Sequence, residues 1–263
     1  CHSQKCMNLF YRDVKMVSII IEGTFVNHDA IFLGQIEIDK ESGLISRIGR
    51  TRALGTPDLV FGRGQLIFPG MVDVHVHARE DETGKQNHKE TYLTASDAAI
   101  NGGVVACAAM PNTTSPLVTL ERLLWHKDKH KDLPVTFLNY AGIGPQTNPL
   151  LANVPYKVYV GPSVGDLFFK SPDQMAFPVM DYFGKCVSFH VEDYDVLMAN
   201  KGRDTHSTRR PVECVTTALK YVLEMVEEYK ISAKLCHWST GGESLEMIKK
   251  HRGKMLNHGM PYT

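Results

Sequence analysis

The alternation of apolar and polar positions changes character near residue 70 of this 263-residue chain. Before that point, short runs rich in β-branched residues are separated by turn-forming segments such as Asn27-His28-Asp29 and Glu41-Ser42-Gly43. Runs of this kind predict strands, here over residues 17–21, 30–38, 45–48 and 66–68. We therefore expect a small β domain over residues 17–68, preceded by an N-terminal extension over residues 1–16 in which the pattern predicts no element.

After Pro69-Gly70, strand-like runs alternate with helical ones. The predicted strands cover residues 71–77, 104–110, 135–140, 157–160, 186–190 and 233–237. The predicted helices cover residues 90–100, 117–130, 172–183, 211–229 and 243–252, and Gly253 is expected to end the last of them. This alternation is typical of an α/β fold with a parallel sheet, and it places such a domain over residues 69–263.

The length of that region limits its architecture. At roughly 30 residues per strand–helix unit it holds about six units, whereas a closed eight-fold barrel usually needs about 250 residues. Two alternatives follow from the pattern: an open, doubly wound sheet, or a (β/α) barrel that stops two units early.

Residues 66–79 bring two histidines to the end of a predicted strand. Because side chains alternate along a strand, Asp73, His75 and His77 are expected on one face. Two imidazoles on one face, at the C-terminal end of a strand, are well placed to hold a metal ion. The alternative is a strand that carries two ordinary surface or core histidines.

Other predicted strands also end in polar residues. In a parallel βα fold the C-terminal ends of the strands meet at one rim, where functional groups collect. Besides His75 and His77, this rim would receive Asn112, Lys157, Tyr159, His190 and His237. Any one of these could be structural, but so many at the same end of a repeating unit predict a functional site.

Lys157 differs from the other candidates because an ammonium group is a poor metal ligand. Its neighbours in Tyr-Lys-Val-Tyr-Val are apolar or aromatic, which favours an inward-pointing side chain that is costly to bury unpaired. Carbamylation by carbon dioxide would convert it into an anionic ligand able to bridge two cations. The alternative is a lysine that pairs with an acid or extends to solvent.

Composition excludes several classes of partner. Lys plus Arg and Asp plus Glu number 29 each, which gives a formal net charge of zero and indicates neither a nucleic acid nor an anionic membrane as partner. The six cysteines are scattered, without a C-x-x-C motif, and Cys107, Cys186 and Cys236 lie in apolar runs that predict buried free thiols. No signal-peptide core or apolar run of about 18 residues is present, so we expect a cytoplasmic protein.

Five motifs together resemble the dihydroorotases, a family of cyclic amidohydrolases. They are Pro-Gly-Met-Val-Asp-Val-His-Val-His-Ala-Arg (69–79), Met-Pro-Asn-Thr (110–113), Tyr-Lys-Val-Tyr (156–159), Phe-His-Val-Glu-Asp (189–193) and Cys-His-Trp-Ser-Thr (236–240). The resemblance covers roughly residues 17–263 in matching order, and its first two motifs are the most discriminating. It implies a metal-dependent, TIM-like (β/α) barrel, with about six of eight units in this chain and a small N-terminal β-sandwich-like appendage.

The resemblance also implies an activity and a metal centre. The activity is the reversible conversion of L-dihydroorotate and water into N-carbamoyl-L-aspartate, a step of pyrimidine biosynthesis that a hydroxide bound to two metal ions would carry out. Two Zn²⁺ ions would be held by His75 and His77 and by His190 and His237, with carbamylated Lys157 as the bridge between them. Two such cations lower the pKa of a shared water, so that hydroxide forms near neutral pH.

Arg79 and Asn112 would bind the carboxylate of the substrate, a task that suits the planar fork of an arginine. Replacing either residue with alanine is expected to cause a large loss of activity on dihydroorotate and to leave the metal content unchanged. The alternatives are a surface ion pair of Arg79 with Glu80 or Asp81, and a plain turn role for Asn112.

The chain departs from the family at its C-terminal end. The family's general base is an aspartate at the end of the eighth strand, which is expected beyond Thr263, so we assign no catalytic residue here. Residues 255–263 are expected to lead into a seventh strand. We therefore expect these 263 residues to be part of a longer natural chain. Asp73 is interpreted as a structural or supporting residue.

Other functions and assignments stay open at this stage. The chain could instead be a non-catalytic dihydroorotase-like scaffold, or a hydantoinase-, dihydropyrimidinase- or allantoinase-type amidohydrolase. A homodimer is possible. His206 and the Arg209-Arg210 pair lie in a segment that is either a solvated loop or a substrate-facing one.

Overall fold

The computed structural model of the chain describes residues 18–164 and 166–257. The predicted extension over residues 1–16 lies outside this part of the chain, as do residues 258–263, most of the stretch expected to lead into a seventh strand. The described residues fall into two compact units that divide after Gly70.

The first unit is a five-stranded sheet. Its strands are β1 (Ser18–Val26), β2 (Ile31–Asp39), β3 (Ile45–Gly49), β4 (Leu59–Val60) and β5 (Leu66–Ile67). The order is β3-β2-β1-β4, and β5 also pairs with β1. β1 and β2 form an antiparallel hairpin along their whole length, as expected for two β-branched runs joined by a short polar turn. β4 is a two-residue strand that the pattern did not predict.

The second unit alternates strands and helices. Its strands are β6 (Met71–Val76), β7 (Val104–Ala109), β8 (Thr136–Asn139), β9 (Ala141–Ile143), β10 (Tyr156–Tyr159), β11 (Cys186–His190) and β12 (Ser232–Leu235). Its helices are α1 (Tyr92–Asn101), α2 (Leu120–His130), α3 (Pro172–Met180), α4 (Tyr194–Asn200), α5 (His206–Arg209), α6 (Val212–Glu228) and α7 (Glu243–Asn257).

All strand pairs of this unit are parallel, and they follow chain order. The strands form two sheets, β6-β7-β8 and β9-β10-β11-β12. Tyr140 separates β8 from β9: its backbone N–H donates to Ala109, and that of the next residue donates to Pro155 on the other side. One bent segment therefore connects the two sheets, where the pattern predicted a single strand over 135–140.

Strand order in this unit bears on the two architectures left open by the sequence. A doubly wound sheet reverses its order at a switch point, whereas the strands here advance in one direction, as they do around a barrel. Within the described residues, β6 and β12 each have a partner on one side only, so the arc of strands does not close.

Several local expectations were wrong. The segment before α6 contains two short helices, α4 and α5, whose N-caps Asp193 and Thr205 satisfy the first backbone N–H groups. Gly253 lies inside α7 instead of ending it, and Cys186 is exposed, whereas Cys107 and Cys236 are buried as expected. Among the described residues, no helix combines the length and apolarity needed to cross a bilayer.

The main core lies between β9–β12 and the helices that cover them. Val158, Val187 and Phe189 of the strands are fully buried, together with Met175 of α3. α6 contributes an apolar stripe with three- and four-residue spacing, formed by Cys214, Ala218, Leu219, Val222, Met225 and Val226. This packing fixes the strands and hence the positions of their C-terminal ends.

A smaller core beside β7 and β8 encloses a chain of polar side chains. The Tyr92 hydroxyl lies 3.0 Å from Nδ1 of His126 and accepts a hydrogen bond of 2.7 Å from Nδ2 of Asn139. Oδ1 of Asn139 in turn lies 2.8 Å from Nε2 of His130. Nε2 of His126 is buried without a hydrogen-bond partner in the described part of the chain, so a proton added there would gain no acceptor.

Acidification should therefore destabilise this unit. Burial lowers the pKa of His126 from 6.5 to about 4. Between these values the unfolded chain binds a proton that the folded chain does not, so the free energy of unfolding falls as the pH drops, by about 1.4 kcal/mol per pH unit for this group. Urea denaturation at pH 7 and pH 5 should show the loss, and His126→Gln should reduce it. The exposed His88→Gln is the control, and an equal loss in His126→Gln would contradict the prediction.

Candidate metal and substrate site

The C-terminal ends of five strands, β6, β7, β10, β11 and β12, meet at one cavity of about 360 Å³. Six of the seven site residues predicted from the sequence line it: His75, His77, Arg79, Asn112, His190 and His237. The seventh, Lys157, lies one layer deeper on β10, two residues before Tyr159, which also lines the cavity. The fold thus brings together residues that are up to about 160 positions apart in the sequence, as expected for the rim of a parallel sheet.

His75 and His77 follow one another at the end of β6. Their ring centroids are 5.3 Å apart, and the His75 ring is also 5.3 Å from that of His237. Burial lowers the pKa of His75 to about 3 and that of His77 to about 4, with further contributions from the charges of Lys157 and Arg79. Both imidazoles are therefore neutral at pH 7, the form in which histidine binds a metal.

Asp73 does not line the cavity that contains both His75 and His77, although the three residues were expected on one face. β6 contains a register shift between Asp73 and Val76, which pair with Cys107 and Ala109 of β7. A bulge of this kind inserts an extra residue and breaks the alternation of side chains. Asp73 lines a second cavity with Val76 and Cys107, and His77 lines both cavities. Its carboxylate accepts a hydrogen bond of 2.9 Å from the backbone N–H of His75.

His190 and His237 contact each other directly. Nδ1 of His190 lies 3.0 Å from Nε2 of His237. β12 ends at Leu235, earlier than predicted, and His237 follows with a φ of 35°. This left-handed conformation is uncommon for a residue other than glycine, and strained backbone of this kind concentrates at functional sites.

Lys157 is completely buried, with 0% of its surface exposed. Its Nζ has no hydrogen-bond partner among the described residues and lies 5.2 Å from the centre of the Tyr159 ring. Burial lowers the pKa of this amine, and the nearby thiol of Cys236 opposes that shift in part. Neither alternative from the sequence, an acidic partner or an extension to solvent, is found in this part of the chain.

Arg79 and Asn112 lie next to each other at the rim of the cavity. Nη1 of Arg79 donates a hydrogen bond of 3.0 Å to the backbone carbonyl of Asn112. Glu80 and Asp81, the partners that the sequence offered to Arg79, instead accept from the backbone N–H groups of Tyr92 and Ser115. The fork of Arg79 is therefore available to an anion in the cavity.

Asn112 has a second role that sequence reasoning missed. Its Oδ1 lies 2.9 Å from Nδ1 of His77, and its Nδ2 donates to Oγ of Ser163 at 3.2 Å. Because an amide oxygen only accepts, Nδ1 of His77 carries the proton and Nε2 has the free lone pair. Asn112 therefore orients a candidate metal ligand, and is more than a turn residue.

Four further titratable residues line the cavity: Tyr159, which the sequence placed at the rim, and Glu192, His206 and Arg210. The Tyr159 hydroxyl is buried without a hydrogen-bond partner in the described residues, although the side chain lines the cavity. Glu192 lies within 2.8 Å of His190, and Arg210 contacts Glu192 at 2.6 Å. Glu192 stood inside a quoted motif, but nothing in its local sequence assigned it a role. His206 also lines the cavity, which favours the substrate-facing interpretation of its segment.

The four histidine rings form a row in the order His77, His75, His237 and His190, with neighbouring ring centroids 5.3, 5.3 and 4.9 Å apart. In the part of the chain that the structure describes, no three His, Cys, Asp or Glu side chains already surround a single point suitable for a metal ion. The donor set is nevertheless the right kind for zinc, since neutral imidazoles are common ligands of that metal.

Comparison with known proteins relates the chain to one enzyme family. Residues 64–149 match the family described as "Dihydro-orotase-like". The chain is 32% identical over 243 residues to a dihydroorotase of Thermococcus kodakarensis, an alignment that covers 90% of this chain and 54% of that protein. It is 29% identical over 246 residues to a dihydroorotase of Pyrococcus furiosus, with coverages of 92% and 54%. The chain thus spans about half the length of the curated relatives it matches.

The fold is also found in solved structures. The L-hydantoinase (dihydropyrimidinase) from Arthrobacter aurescens superposes with a TM-score of 0.78 at 22% sequence identity, covering 91% of this chain and 56% of that structure. At this identity the likeness establishes the fold, which is the α/β fold of the hydantoinases.

Proposed function

We propose, from its homology to dihydroorotases over about 90% of its length, that this chain is part of a cyclic amidohydrolase. The reaction would interconvert L-dihydroorotate and water with N-carbamoyl-L-aspartate. The observation that carries the proposal is the position of Arg79 and Asn112 on the same cavity as the four histidines. We also propose that residues 71–257 form about six units of a (β/α) barrel and that the N-terminal sheet is its small appendage.

The residues present fit a centre with two divalent cations. His75 and His77 would hold one ion, and His190 and His237 a second. The amine of Lys157, which has no hydrogen-bond partner among the described residues, would attack carbon dioxide with its lone pair and release a proton, and the resulting carbamate would be an anionic ligand for both ions. When bound, two such cations polarise an amide carbonyl and make a hydroxide nucleophile available near neutral pH.

The remaining residues would bind and orient the ring. Dihydroorotate carries a carboxylate on its ring, and the guanidinium of Arg79 can form two parallel hydrogen bonds to it. Asn112 holds both Arg79 and His77, so it would fix the distance between the substrate carboxylate and the histidines. The buried Tyr159 hydroxyl, which has no hydrogen-bond partner in the described part of the chain, would donate to a polar atom of the ring.

Two alternatives are weaker. The hydantoinase fold allows a hydantoin or dihydropyrimidine substrate, but dihydrouracil and unsubstituted hydantoin have no carboxylate to occupy Arg79. A non-catalytic scaffold would have no use for a completely buried lysine, without a hydrogen-bond partner among the described residues, beside four histidines. We assign no general base within the chain, and a homodimer stays a prediction.

Ligand binding to the zinc-treated chain tests the proposal. Calorimetric titration should detect L-dihydroorotate and N-carbamoyl-L-aspartate at concentrations where dihydrouracil and hydantoin show no heat. Equal binding of the uncharged rings would favour the hydantoinase alternative. Absence of binding by all four compounds, in a chain that holds no zinc, would favour the scaffold.

A further inference from the structure

His190 is held between two hydrogen-bonding groups on opposite sides of its ring. Nε2 lies 2.8 Å from Oε2 of Glu192, and Nδ1 lies 3.0 Å from Nε2 of His237. An ionised carboxylate can only accept a hydrogen bond. Nε2 of His190 must then carry a proton, and in the neutral ring the lone pair of Nδ1 is directed at His237 and the cavity.

Glu192 is itself held in place. The same oxygen accepts a hydrogen bond of 2.6 Å from Nη1 of Arg210, and the Glu192 side chain is only 14% exposed. Its backbone is also confined, because a Cβ on Gly161 would lie 2.6 Å from the Glu192 carbonyl oxygen. The next residue, Asp193, caps α4 and accepts from the backbone N–H of Val196. The carboxylate has little freedom to leave the imidazole.

Arg210 comes from a different part of the chain. It ends α5 and immediately precedes the N-cap of α6. Its side chain is 41% exposed and lines the same cavity as Arg79. Arg210 ties the α5 segment to the end of β11. It does so through the Glu192 carboxylate, which also contacts Nε2 of His190 and determines which nitrogen of that ring is protonated.

We infer that Glu192 and Arg210 form a positioning pair, which fixes His190 as the Nε2–H tautomer and presents Nδ1 to the cavity. The identity of the ion that Nδ1 would bind rests on the proposed function, whereas the tautomer does not. Carboxylates that orient metal-binding histidines typically change metal affinity by 10- to 100-fold when they are removed. Glu192 acts through His190 and needs no contact with the substrate.

Nitrogen NMR of the ¹⁵N-histidine-labelled protein tests the pair without any metal. The His190 signals are assigned by their loss in His190→Asn. Wild-type His190 should be protonated at Nε2, and Glu192→Leu should give a mixture of tautomers. Glu192→Gln retains an acceptor oxygen, so it should keep the Nε2–H form. It also provides a variant that is expected to fold if Glu192→Leu does not.

Zinc affinity, measured by competition with a chelator, is the second readout. Glu192→Leu should weaken zinc binding by about 10- to 100-fold, with a smaller loss in Arg210→Met, which leaves the carboxylate in place. Glu82→Leu is the matched control, since Glu82 pairs with Arg122 and does not line the cavity.

A wild-type His190 protonated at Nδ1 would overturn the inference, as would a Glu192→Leu protein with an unchanged tautomer. If the wild type binds no zinc at all, the proposed metal centre fails. The tautomer experiment would still decide the role of Glu192.

Discussion

Replacing Lys157 with methionine is expected to abolish zinc binding and, at the same time, to stabilise the metal-free protein. Methionine has a similar length and fills the same buried space, but it cannot be carbamylated and offers no oxygen to a cation. The stability of the metal-free chain should rise because the variant removes a completely buried amine that has no hydrogen-bond partner among the described residues, and burying such a group costs on the order of 1–3 kcal/mol.

Elemental analysis after dialysis measures the first effect, and urea denaturation in the presence of a chelator measures the second. We expect two zinc ions per chain in the wild type and well below one in Lys157→Met. Lys234→Met is the matched control, because Ser188 separates the two lysines along one row of the sheet. It removes a charge beside the site but no proposed ligand, and should keep its zinc. Full zinc content in Lys157→Met would refute the bridging role of the lysine.

Replacing Arg79 with methionine should weaken the binding of N-carbamoyl-L-aspartate by about 10- to 100-fold, in line with 1.5–3 kcal/mol for hydrogen bonds to a charged group. Zinc content should not change, since the Arg79 side chain donates only to a backbone carbonyl. Arg79→Lys keeps the charge but loses the planar fork, so its affinity for N-carbamoyl-L-aspartate should lie between those of the wild type and Arg79→Met. Arg122→Met is the control, because Arg122 pairs with Glu82 outside the cavity. Unchanged affinity in Arg79→Met would exclude this arginine as the carboxylate site.

Asn112→Ala should behave differently from Arg79→Met, contrary to what the sequence suggested. Alanine at this position removes the acceptor of His77 Nδ1 as well as the support of Ser163. We therefore expect a loss of both ligand binding and zinc affinity. The structure thus separates two residues that the motif alone treats as equivalent.

The sequence alone was enough to locate most of the strands and helices and to group the seven predicted site residues. Strand and helix periods located six of the seven strands after Gly70, and the polar residues at their C-terminal ends proved to share one cavity. This success has a simple cause: in a parallel βα fold, the position of a residue within its strand determines which edge of the sheet that residue occupies. Residues such as His75 and His237 can therefore be grouped without knowledge of their contacts.

The tertiary structure decided the features that depend on contacts between segments distant in the sequence. The bulge that interrupts the side-chain alternation after Asp73 arises from the pairing of β6 with β7. The break between β8 and β9 arises because the backbone N–H groups of Tyr140 and Ala141 donate to different neighbouring segments. Neither the bulge nor the break can be predicted from the local periodicity of apolar and polar residues.

The same holds for the groups that orient the histidines. The amide of Asn112 reaches His77 across 35 positions, and Arg210 reaches Glu192 across 18. Local patterns determine which residues lie on strands and at which edge. The direction of each hydrogen bond, and thus which nitrogen of an imidazole is free to bind, is decided only when the packed backbone brings a specific donor and acceptor together.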